Sequence, residues 1–190
     1  MPTPFTAGLL SLSALAATAD KEEPAPNFSG LTVAHGPTSL REYRGEVVIL
    51  SFWASWCPPC LKDLDTLATA DDALRKEGIR VVAINVDRAH ELATVEKLVE
   101  TRSWEFPVVL DSTQRALGSY FSTKSVPVSA VIDADGVLQE LHLSWDDGDA
   151  EQLIEEARTL TAASQPPATT DEPTNSASPE AAAQPTTLAE

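Results

Sequence analysis

Between Val47 and Leu160 the chain alternates short apolar runs with longer stretches whose apolar residues recur every three or four positions. Val47-Val-Ile-Leu50 and the run from Ile79 to Val86 are nearly continuous hydrophobic, β-branched segments, as strands buried on both faces of a sheet are. Pro107 to Leu110 reads as a third strand, and Val126 to Ile132 as a fourth that opens at its proline. Leu61, Leu64, Leu67, Ala68 and Leu74 keep helical spacing, predicting a helix from Cys60 to about Glu77. Gly78 is its stop, and Asp71-Asp72 is where it would break. Leu92, Val95, Leu98 and Val99 mark one face of a helix over Glu91 to Thr101, and Gln114 to Phe121 forms a short one. Asp133-Ala-Asp-Gly136 is a hairpin signal, so Val137 to Leu143 should pair antiparallel with the preceding strand. A last helix over Asp149 to Leu160 turns Leu153, Ile154 and Ala157 inward. Upstream, Phe28 to Val33 and the turn His35-Gly36-Pro37 suggest a small hairpin ahead of the main sheet. The expected class is α/β, with a mixed central sheet flanked by helices.

The flanks differ in character. Residues 1–19 are uncharged, too short in their apolar part to span a bilayer, and end in Ala14-Leu15-Ala16 and Ala17-Thr18-Ala19. Both triplets fit a small-x-small cleavage site, so this segment reads as a signal or leader and the protein as exported, although no Lys or Arg precedes the apolar run. Without export the protein would stay in the cytoplasm. Residues 20–26 carry charges and prolines and read as a linker. The domain proper is expected over residues 27–163. From residue 164 to 190 the composition falls to Ala, Pro, Thr, Ser, Gln and Glu, which cannot offset its ordering entropy by burial, so a disordered tail is expected. With 13 basic against 29 acidic residues the net charge is -16, and no Lys/Arg cluster offers a nucleic-acid surface.

The chemistry concentrates in Ser51-Phe-Trp-Ala-Ser-Trp-Cys-Pro-Pro-Cys60, which holds the chain's two cysteines where a strand ends and a helix begins. A helix N-terminus offers unpaired N–H groups and a partial positive charge, both favouring a thiolate. Pro58 and Pro59 suit a first helical turn. Such a Cys-x-x-Cys is a redox pair: Cys57 is the expected exposed nucleophile, and Cys60 resolves the mixed disulfide. Zinc would need further ligands, and His35, His90 and His142 are scattered, so neither metal nor cofactor is expected. A static disulfide would close too short a loop to contribute much. Asp63 lies about 60° round the helix from Cys60, on the border of the apolar arc, so it is either a proton carrier for the pair or an ordinary boundary acid. Lys62, Asp65 and Thr69 point away from that arc as surface groups. Trp53 reads as core, while Trp56 borders Cys57 and is expected to cover the sulfurs and meet substrate. Trp145-Asp-Asp-Gly-Asp149 reads as a loop whose Asp149 caps the last helix.

Ala25-Pro-Asn-Phe28, Arg44 to Cys60, Val82 to Asp87, Phe106 to Asp111, and Val126-Pro127 followed by Val131 to Gly136 together resemble the thioredoxin-like proteins of the TlpA/ResA type. The resemblance implies a thioredoxin-like fold with an N-terminal hairpin and a central insertion. It also implies an exported thiol:disulfide oxidoreductase, a reductase serving cytochrome c maturation or copper-site assembly. Its partners would be disulfide- or dithiol-bearing proteins and a membrane thiol-disulfide electron donor, acting on a monomer. A cis peptide before Pro127, opposite the cysteines, would remove an N–H beside the sulfurs and offer the Val126 backbone to an extended substrate. Departures are Lys62-Asp63-Leu64-Asp65 without the family's kinking proline, Val128-Ser129 after Val-Pro, and Ser51 where thioredoxin carries a buried aspartate. Two other functions remain open at this point. One is a peroxiredoxin-like thiol peroxidase, although Ala54-Ser-Trp-Cys57 lacks the Thr-x-x-Cys setting. The other is a non-enzymatic Cu(I)-binding module using the two sulfurs.

Overall fold

The computed structural model describes residues 24–122, 125–143 and 149–164. The leader (residues 1–19), residues 20–23 of the linker, the tail beyond Ser164 and the run 145–148 lie outside the described residues.

The apolar runs become a five-stranded mixed sheet, and the periodic stretches pack on it. In chain order the elements begin with β1 (Ser29–Leu31), β2 (Pro37–Ser39), β3 (Val47–Trp53) and α1 (Pro58–Lys76). They continue with β4 (Ile79–Asn85), α2 (Leu92–Arg102), β5 (Val108–Leu110) and α3 (Arg115–Tyr120). They close with β6 (Val128–Ile132), β7 (Leu138–His142) and α4 (Asp149–Ser164). The sheet order is β5-β4-β3-β6-β7. β3 pairs parallel with β4 and antiparallel with β6, and β7 returns antiparallel on β6 across the Asp133–Gly136 turn. All seven residues of the central β3 are buried, which explains why its sequence shows no polar alternation.

α1 and α4 pack together against β3 and β4, with Leu64, Leu67, Leu74, Leu153 and Ala157 filling the layer between. Phe52 serves the sheet's other face, meeting Tyr120 and Phe121 at ring distances of 5.6 Å. The insertion between β4 and β6 carries α2, β5 and α3, and its strand β5 extends the sheet beyond β4. β1 and β2 form the small antiparallel hairpin, fastened to β5 by the Val33 N–H donating to Val108 O at 3.0 Å.

Three expectations are corrected. α1 runs unbroken through Asp71-Asp72, because Asp71 faces inward and Asp72 outward without loss of the helical ladder. Pro24 and Ala25 are not linker: Pro24 bridges Val137, and the Ala25 N–H donates to Gly136 O at 3.0 Å. Asp149 is the first residue of α4 rather than a cap ahead of it.

Candidate functional site

The site is made where β3 runs out. The Trp53 carbonyl accepts from the Val86 N–H at 2.9 Å, which carries the β3–β4 pairing one step past the strand. The chain then turns through Ala54-Ser55-Trp56, and the Cys57 N–H donates back to Ala54 O at 3.1 Å. Cys57 is the N-cap of α1, extended at φ -103° and ψ 92°, with Pro58 and Pro59 in the first turn. Prolines suit these positions because the first helical N–H groups have no carbonyl partner within the helix. Cys57 and Cys60 form a disulfide, Cα–Cα 5.3 Å, and Cys57 Sγ accepts from the Cys60 N–H at 3.3 Å. That N–H is one of the unpaired donors of the helix start, so the sulfur replaces the usual oxygen cap.

The sequence predicts an exposed Cys57, and the structure corrects this. It is 4% accessible in the disulfide and Cys60 1%. The turn folds both sulfurs against the core, and the difference between them is small.

β6 brings the second half of the site. Its register pairs Ser51 with Ser129 and Phe52 with Val128, and one step further along it Pro127 comes beside Trp53. The Val126–Pro127 peptide is cis, and both residues are buried. Trp53 is fully buried, edge-on to Trp104 at 5.2 Å. Trp56 is 62% exposed and lines a cavity of about 350 Å³ with Val86, Asp87, Arg88, His90 and Gln114. That cavity lies beside the β4–α2 connection. Asp63 is half-buried on α1, and Ser51 is buried beside Ser129.

Two acids hold more than their sequence suggested. Asp65, expected as a surface group, accepts the Trp104 indole N–H at 3.0 Å and pairs with Arg102. Asp87 is 4% exposed, and its Oδ2 accepts the Ser55 N–H at 2.7 Å and the Asn85 amide at 2.8 Å. Asp87 therefore ties the end of β4 to the turn that carries Cys57, and sequence reasoning did not single it out. The available signal was position: an acid just beyond the carboxyl end of a buried strand next to the active one, where α/β sheets build their sites. Among the described residues no hydrogen bond joins a histidine to either sulfur, and His142 pairs with Glu156 at 2.7 Å.

Deeper in α1, Asp71 is buried with Arg75 at 3.4 Å, and its carboxyl is raised above the usual range by burial, only partly opposed by Arg75.

Residues 22–141 match the AhpC/TSA family. Among similar proteins, the thiol-disulfide oxidoreductase ResA of Bacillus cereus is 32% identical over 127 residues, covering 64% of this chain and 72% of that protein. The thioredoxin-like protein YneN of Bacillus subtilis (strain 168) is 30% identical over 123 residues, covering 63% of this chain and 69% of that protein. In three dimensions the chain is similar to a putative thiol:disulfide interchange protein DsbE from Chlorobium tepidum, at TM-score 0.64 and 30% identity, covering 73% of this chain and 98% of that one. With a disulfide-bonded Cys-x-x-Cys at a helix start and relatives so named, the non-enzymatic reading falls away. The chain belongs to the AhpC/TSA family and is a thioredoxin-like thiol-disulfide oxidoreductase.

Proposed function

We propose that the protein reduces disulfides of protein substrates in the cell envelope, in a role of the kind that cytochrome c or copper-site assembly requires. The observation that carries this reading is the Cys57–Cys60 disulfide at the start of α1, with the buried Val126–Pro127 pair just ahead of the neighbouring strand β6. In the reduced protein the Cys57 thiolate attacks one sulfur of a substrate disulfide. A mixed disulfide forms, and the substrate's other sulfur leaves as a thiolate that takes up a proton. Cys60, deprotonated, then attacks Cys57 Sγ and releases the substrate's second thiol. The substrate gains two electrons and two protons, and the protein is left as the disulfide. A dithiol donor at the membrane restores it by the same exchange in reverse. Asp63, three residues beyond Cys60, is the candidate to take the Cys60 proton. Val126 offers its backbone, and Trp56 its exposed ring, to the incoming chain. The uncharged leader with its small-residue triplets supports export.

The test is the Cys60→Ser variant expressed in full in cells. It should accumulate mixed disulfides through Cys57 that a thiol reductant releases, and Cys57→Ser should trap none. Absence of any trapped protein with Cys57 intact would count against the reading. Rapid turnover of micromolar peroxide with no trapped protein would move the activity to a thiol peroxidase.

A further inference from the structure

Asp87 places a carboxylate at the turn that carries the reactive pair. Its Oδ2 bonds the Ser55 N–H, two residues before Cys57, at 2.7 Å, so the charge lies on the order of 10 Å from the sulfur by chain reach. Among the described residues no cation pairs with it, and its Oδ1 is buried without a hydrogen-bond partner. The site thus contains two opposed electrostatic elements. The start of α1 favours a Cys57 thiolate. Asp87, in a setting that water screens poorly, disfavours it.

We propose that Asp87 is a positioning residue that fixes the Cys57 turn through the Ser55 N–H while its charge holds the Cys57–Cys60 couple toward the reducing side. The proposal rests on Cys57 being the attacking sulfur. The physical sequence is short. A negative charge near Cys57 destabilises its thiolate, hence the reduced state of the pair. A less stable dithiol gives up its electrons more readily, which lowers the potential. The Ser55 bond adds geometry, because it pins the residue from which Trp56 and Cys57 follow. Other charged groups face the same turn: Arg88, His90 and Glu91 line the Trp56 side, and Lys62 and Asp63 follow the pair on α1. Glu91 is already engaged by the Arg88 N–H at 3.0 Å. Asp87 differs from these in being buried.

The experiment compares wild type with Asp87→Asn, Asp87→Glu and Asp87→Ala in the full chain. Thiolate formation is followed against pH by ultraviolet absorbance, and the redox equilibrium is measured in glutathione buffers. Asp87→Asn keeps an oxygen for the Ser55 N–H and removes the charge. It should make the Cys57 thiol about 2- to 15-fold more acidic, from a unit charge at about 10 Å across the range of effective dielectric. The redox equilibrium should move toward the dithiol by up to the same factor, roughly 10 to 35 mV upward. Asp87→Glu should stay near wild type in both readings. Asp87→Ala should show the charge effect and, in addition, slower exchange with a protein disulfide. Should Asp87→Asn fail to fold, the Glu and Gln variants supply the same charge contrast. Unchanged acidity and potential in Asp87→Asn, or a shift of either in the opposite direction, would overturn the proposal. The titration needs no substrate, so an inert wild type defeats the functional reading while the titration still decides on Asp87.

Discussion

Replacing Asp65 with alanine should destabilise the oxidised protein by about 2 to 3 kcal/mol, and the structure sets that size. Asp65 projects from α1, two residues beyond Asp63, and its Oδ1 accepts the Trp104 indole N–H at 3.0 Å. Trp104 is 5% exposed, so after the substitution its N–H is left largely buried without this acceptor. A buried donor stranded from a charged partner costs about 1.5 to 3 kcal/mol. The ion pair with Arg102 adds little, because Asp65 is 46% and Arg102 33% exposed and water screens the attraction to about 0 to 1 kcal/mol. For a domain of this size the total corresponds to a fall in Tm of about 5 to 10 °C. The assay is urea unfolding of the disulfide-intact protein, followed by far-ultraviolet circular dichroism, for Asp65→Ala, Trp104→Phe and the double variant. Trp104→Phe keeps a ring against Trp53 and Phe106 but removes the donor. The two substitutions should therefore be coupled by roughly 1 to 2 kcal/mol. Asp65→Asn, which keeps an acceptor, should lose less than about 1 kcal/mol. A loss below about 0.5 kcal/mol for Asp65→Ala, with additive effects in the double variant, would refute the reasoning.

The buried Asp71 should make stability depend on pH in a definite direction. Its carboxyl is raised by burial, so the native state holds that proton more tightly than the unfolded chain does. Its contribution to stability is therefore lost as pH rises from the ordinary carboxylate value through the raised one. Asp71→Asn should be more stable than wild type at pH 7, and the advantage should vanish below the ordinary carboxylate range. A constant difference across pH would exclude this account. Tyr120 has its phenol pushed up by burial, and its hydroxyl lacks a hydrogen-bond partner among the described residues. Tyr120→Phe should be neutral or stabilising by up to about 1 kcal/mol in urea unfolding, while a comparable loss would reveal a partner for the hydroxyl.

The fold was largely legible because its elements differ in period. The continuous run Val81 to Val86 could only be a strand with both faces covered, and Leu64, Leu67 and Leu74 could only share a helix face. Periodicity reports which side of an element is apolar, not which element lies against it. For that reason the sequence does not show that β5 continues the sheet beyond β4, or that the β1–β2 hairpin fastens to it. Asp71 misled for a related reason. Two adjacent acids suggest a break, yet successive helical residues lie 100° apart, so one of them can be buried while the other is solvated.

The site divides along the same line. Cys57, Pro58, Pro59 and Cys60 are local, so a strand end, a turn and a helix start were enough to read them as a redox pair. Their supports are not local. Trp104 reaches Asp65 across 39 positions, and Asp87 reaches the Ser55 N–H across 32. A helical wheel compares a residue only with others on its own helix, so it put Asp65 among the surface groups when its partner comes from the segment after α2. Asp87 lies just past a largely hydrophobic strand, and its partner in the Cys57 turn is a backbone N–H, a donor that every residue but proline carries and that leaves no mark in composition. A motif can thus identify the reacting atoms from a few contiguous residues. The groups that set how those atoms are held and charged are matched to backbone and loops elsewhere in the chain, and they become visible only when the strands are laid side by side.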